Sequence, residues 1–106
     1  MHERLAEIVK RHQNLRTQQA DPEIAVDPNR SRELAQKIAE LEPIVSAYRE
    51  LRATTQELEG AREVAGETDD DEMREMAEAE VEGLSTRKED LEARLKLLLL
   101  PADPND

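Results

Sequence analysis

An all-α fold, an elongated antiparallel bundle of about three helices with coiled-coil-like seams, is what this 106-residue sequence predicts. Three observations carry that prediction. Apolar residues recur in steps of three and four over long stretches, the period of one helical face. Charged residues make up 39% and aromatics 1%, with Tyr48 the sole aromatic side chain, a composition that suits narrow seams between helices and not a broad sandwich or α/β core. Finally, two Asp-Pro pairs and an acidic break after Gly66 divide the chain where helices must end.

The first helix is expected over about His2–Gln19, on the stripe Leu5, Ile8, Val9, His12 and Leu15. Glu7 and Arg11 stand at the favourable i, i+4 offset on it. "ADPEIAVDPN" should interrupt the helical run, because a residue before proline is pushed out of the α region.

The second helix should begin at Asp27 or Pro28, with aspartate as cap and proline in the first turn. Its stripe starts as Leu34, Ile38, Leu41, Val45 and Tyr48. It then continues in a shifted frame as Ile44, Ala47, Leu51, Thr54, Leu58, Ala61 and Ala65. Such drift is expected when a 3.6-residue helix is read in sevens. Pro43 removes one backbone hydrogen bond, so a kink near Pro43 is expected, and Gly66 is placed to end the helix in a left-handed conformation.

Thr68 followed by Asp71 reads as a capping box for the third helix, with the acids Asp69 to Glu72 in its first turn. Its seam is Ala77, Val81, Leu84, Lys88, Leu91, Leu95 and Leu98, with Lys88 the misfit, Glu92 and Lys96 a second i, i+4 pair and Gly83 a weak point. It should run to Leu99 or Leu100, where Pro101 stops it.

Composition also narrows function. Cysteine is absent, which removes disulfides and thiolate metal sites and fits a reducing compartment. Residues 2 to 19 lack an apolar signal core, and the leucine run Leu97 to Leu100 is far below the roughly 20 residues a bilayer requires. A soluble, cytoplasmic protein without membrane association is expected. A net charge of −11 argues against general nucleic-acid or DNA binding. The charge is uneven, with nine carboxylates against Arg74 between Glu67 and Glu82. Residues 2 to 16 instead carry Arg4, Lys10, Arg11 and Arg16 against Glu3 and Glu7.

Candidates for chemistry are few. His2 and His12 lie roughly 15 Å apart along a helix, too far to share a metal, and His12 on the apolar stripe reads as a packed imidazole. The carboxylates of residues 69 to 82 lack the spacing of a calcium loop and read as a solvated helix start. Gly60, Gly66 and Gly83 form no phosphate cradle, and no serine–base arrangement is present. No catalytic, cofactor or metal residue is therefore expected. The basic residues Arg4, Lys10, Arg11 and Arg16 are the candidates for an RNA phosphate contact, against the plain alternative of a solvated helix face.

Three stretches, in order, resemble a known family. "ADPEIAVDPNRSRELAQKIAELEPIVSAYRE" is similar to the segment joining the first and second helices of bacterial-type class I peptide chain release factors, "EMREMAEAEVEGL" to their third helix, and "LLLLPADPND" to the end of their first domain. The proline-aspartate ending resembles the branch that reads UAA and UAG, organellar members included. The resemblance implies translation termination, with residues 1–100 as the amino-terminal helical domain and residues 101–106 opening a linker to codon-reading and Gly-Gly-Gln domains. Leu95 and Leu98 then belong to the seam, and other leucines of the run face a neighbouring domain. It further implies the ribosome as partner, at the stalk base near ribosomal protein L11 and its rRNA, together with the GTPase that recycles release factors. No adjacent glycines occur, so neither hydrolytic nor codon-reading residues can be assigned here. The competing readings are a free-standing helical adaptor or cochaperone-like coiled coil, and a small acidic metalloenzyme.

Overall fold

The computed structural model describes residues 1–101, and these are helical with no strand among them. Four helices follow in order: α1 (His2–Gln19), α2 (Pro22–Ala25), α3 (Pro28–Glu67) and α4 (Asp71–Leu98). The all-α expectation holds, with one added helical turn. The chain forms two compact units, Met1–Ser46 and a second from Ala47 onward, and α3 contributes to both.

In the first unit, α1 spans the predicted residues and buries Leu5, His12 and Leu15. The segment expected to be non-helical winds one turn instead. Asp21 still behaves as a residue before proline, with ψ of 122°, and its side chain accepts from the Glu23 N–H at 3.0 Å. That cap and Pro22 in the first position suffice for a single turn, which presents Ile24 to the core. Asp27 repeats the device for α3, accepting from the N–H groups of Asn29 and Arg30. Ser31 donates its hydroxyl to the Ile24 carbonyl at 3.1 Å and ties the turn to α3. Leu15, Ile24, Leu34 and Ile38 form one buried cluster, with Leu41 packed against it.

α3 continues unbroken through Pro43. In the second unit its shifted stripe is buried as expected, at Ala47, Leu51, Thr54, Leu58 and Ala61. Gly66 does not end the helix in a left-handed conformation, because no glycine has a positive φ. The helix instead runs on to Glu67, where the Thr68 N–H still bonds the Val64 carbonyl at 3.0 Å.

The start of α4 also differs from the expected capping box. Asp70, not Thr68, is the cap, accepting from the Glu72 and Met73 N–H groups at 2.9 and 3.2 Å. The Thr68 hydroxyl oxygen is engaged one step earlier by the Asp70 N–H, and Arg74 donates to the Thr68 carbonyl. A carboxylate accepts more strongly than a hydroxyl, so the cap moves to the aspartate.

Residues Thr68 to Asp70 thus reverse the chain in three positions. Val64 shares a recess with Met73, Met76 and Ala77, while Glu57 shares one with Glu80, Gly83 and Leu84. Moving back along α3 therefore means moving forward along α4, an antiparallel hairpin. The misfit Lys88 of the α4 seam is only partly buried. At the far end of α4 the run of leucines divides. Leu95 and Leu99 are buried, whereas Leu97 and Leu100 are 70% and 64% exposed. The helix ends at Leu98 with Leu99 as its C-cap, ahead of Pro101. Most of the linker expected at 101–106 lies outside the described residues.

Candidate interaction site on the first helix

The four basic residues singled out in α1 are all exposed. Helix geometry, about 100° per residue, spreads them round the helix. Lys10 projects from the side opposite the buried Leu5, His12 and Leu15, Arg11 stands roughly at right angles to them, and Arg4 flanks the buried stripe beside Leu15. Arg16 flanks the other edge of that stripe, beside Leu5. There its Nη2 lies 3.5 Å from Oε1 of Glu42 on α3. An exposed pair of this length contributes little to stability, but it directs the guanidinium toward α3. The single basic face expected from the sequence is therefore looser: Arg4 and Arg11 share one flank, Lys10 lies about 100° further round, and Arg16 turns to α3.

The same Glu42 oxygen meets His12. The imidazole is 2% exposed and its Nε2 lies 2.9 Å from Oε1. A buried ring nitrogen left without a partner would cost its desolvation, and the half-exposed carboxylate of Glu42 removes that cost. Glu42 also precedes Pro43, a position biased against helix, so its ties to His12 and Arg16 hold α1 against α3 where the backbone is weakest. This is a structural role, as the sequence suggested for His12. Among the described residues no group of three or more His, Cys, Asp or Glu side chains gathers as a metal site would require.

The outward side of α1 holds more than the lysine and arginines. Lys10 and Arg11 border a shallow recess together with Glu7, Asn14, Leu15 and Gln18. Asn14 and Gln18 were not singled out in the sequence, although their spacing of four and eight residues from Lys10 places them in one row. An ammonium, a guanidinium and two amides in one strip suit backbone phosphates, to which such donors make most nucleic-acid contacts. Glu3 and Glu7 lie on the same side and moderate its charge. Glu7 does not close an ion pair with Arg11, nor Glu92 with Lys96, among the described residues. No described helix is long and apolar enough to cross a membrane.

Comparison with known proteins adds a finding that the geometry cannot supply. The profile of the PCRF domain matches residues 8–106. The chain belongs to the PCRF domain family. This PCRF domain is 43% identical, over all its 106 residues, to the peptide chain release factor 1 of Halalkalibacterium halodurans. It is 42% identical to the proteins of the same name from Oceanobacillus iheyensis and Listeria welshimeri. It spans 30% of the length of each of these relatives. No solved structure matches it.

Proposed function

We propose that this PCRF domain is the amino-terminal part of a class I peptide chain release factor that reads UAA and UAG and acts in translation termination in the cytoplasm. The observation that carries the reading is identity of 42–43% over the entire chain to proteins named peptide chain release factor 1. On this reading the domain is a ribosome-binding module with no catalytic residue of its own. Codon reading and peptidyl-tRNA hydrolysis belong to the remainder of the factor. The partners are the stalk base, ribosomal protein L11 and its rRNA, with the recycling GTPase as a second contact.

The charge division within the domain supports one arrangement. Arg4, Lys10 and Arg11, with Asn14 and Gln18 beside them, face rRNA, and the carboxylates that begin α4 are left to solvent or to a basic protein. In the complete factor, replacing Arg4, Lys10 and Arg11 by Glu should weaken ribosome pelleting. It should also reduce the salt slope of binding by about one for each phosphate that the variant no longer engages. Arg16→Glu alone should leave that slope unchanged, because its side chain turns to Glu42. A triple variant whose binding and slope match the unaltered factor would refute the arrangement.

A further inference from the structure

The α3–α4 hairpin carries a second surface, remote in character from the basic row of α1. Near its tip Val64, Met73, Met76 and Ala77 line a recess with Asp70, Glu72 and Glu80. Glu80 also borders the next recess along, with Glu57, Gly83, Leu84 and Arg87. On α4, residues 73, 76, 77, 80, 83, 84 and 87 fall on one side at the i, i+3, i+4, i+7 spacing, so the two recesses form one strip. From Met73 to Arg87 it runs roughly 21 Å, about four helical turns.

Three properties make this strip unlike an ordinary solvated helix face. Met73 and Met76 are 50% and 69% exposed and Val64 is 43% exposed, an apolar group in a chain with little apolar surface to spare. Thioethers are flexible and polarizable and mould to a partner's side chains. The floor is low at its middle, because a Cβ added at Gly83 would meet no atom within 4 Å. Lastly, carboxylates rim the apolar floor at Asp70, Glu72, Glu80 and Glu57, and Arg87 alone closes the far end.

We propose that this strip is a docking groove for a basic amphipathic helix of a partner protein. The occupant follows from charge complementarity: apolar anchors would enter over Gly83, Ala77 and the methionines while lysines or arginines meet the carboxylate rim. An acidic rim repels nucleic acid, so this site is separate from the proposed rRNA contact and does not depend on it.

The test uses the chain itself and a synthetic helical peptide of about 18 residues, with leucines on one seam and lysines elsewhere, followed by fluorescence anisotropy. The peptide should bind about tenfold more tightly than a shuffled peptide of identical composition that lacks the seam. Gly83→Leu fills the groove without touching the core, and circular dichroism checks that it stays helical. That variant and Met76→Lys, an independent change at an exposed position, should each weaken binding about tenfold, while Gly83→Ala stays within about twofold. Equal binding of the shuffled peptide, or of one with glutamates for the lysines, would overturn the proposal. So would binding unchanged in both Gly83→Leu and Met76→Lys. Self-association of the chain that Gly83→Leu abolishes would assign the groove to a second copy and overturn it likewise.

Discussion

His12 is a polar side chain that α1 commits to its buried stripe, and its 2.9 Å contact with Glu42 explains why that is tolerated. The imidazole fills space between helices and its Nε2 is satisfied. His12→Ala removes both, leaving a void and breaking the link across the Glu42–Pro43 step. We expect a loss of about 2 kcal/mol in urea unfolding. Arg16→Ala, which removes an exposed partner of the same carboxylate, should stay within about 0.5 kcal/mol. Equal effects from the two would show that the imidazole does not hold α1 in place. The burial of His12 was legible in the sequence, since it falls on the stripe of Leu5, Ile8 and Leu15. Its partner was not. Glu42 lies 30 residues away and belongs to no apolar frame, so nothing local marks it.

The helices show why periodicity is a better guide than punctuation. Both frames of the α3 stripe reappear between Leu34 and Ala61 as buried positions, with Leu41, Ile44 and Tyr48 partly buried around the handover. Burial selects residues by period over many turns, so a single misfit such as Lys88 cannot erase the pattern. Ends depend instead on one or two hydrogen bonds that compete locally. Gly66 and Thr68 both satisfy end signals, yet the nearby Asp70 carboxylate takes the cap and α3 passes through Gly66 in helical conformation. A consequence separates the two arrangements. Gly66→Ala should stabilise the chain by about 0.5–1 kcal/mol, because the residue is helical and an added Cβ meets nothing within 4 Å. A left-handed cap would make the same substitution destabilising. Thermal unfolding of the variant decides between them by the sign of the shift.

At the scale of the whole chain the net charge of −11 is the dominant electrostatic fact, and attraction does little to offset it. Arginine–carboxylate pairs join Arg16 to Glu42 and Arg74 to Asp71, both at exposed positions. The stretch from Glu67 to Glu82 carries nine carboxylates with Arg74 as its one basic residue, and Arg74 is drawn to Asp71 and the Thr68 carbonyl. Self-repulsion of this kind opposes the folded state, and salt screens it over a Debye length of about 10 Å at 0.1 M. Raising sodium chloride from about 20 mM to about 0.3 M should therefore raise the melting temperature by a few degrees. A protein held by surface ion pairs would respond in the opposite sense. The gain should also have an address. Replacing Asp69 and Glu75 by Asn and Gln removes two charges from the crowded stretch and leaves the Asp70 cap intact. That variant should melt higher at low salt and gain less from added salt than the unaltered chain. If its salt response were the same, the repulsion would lie elsewhere in the molecule and the acidic start of α4 would not be its source.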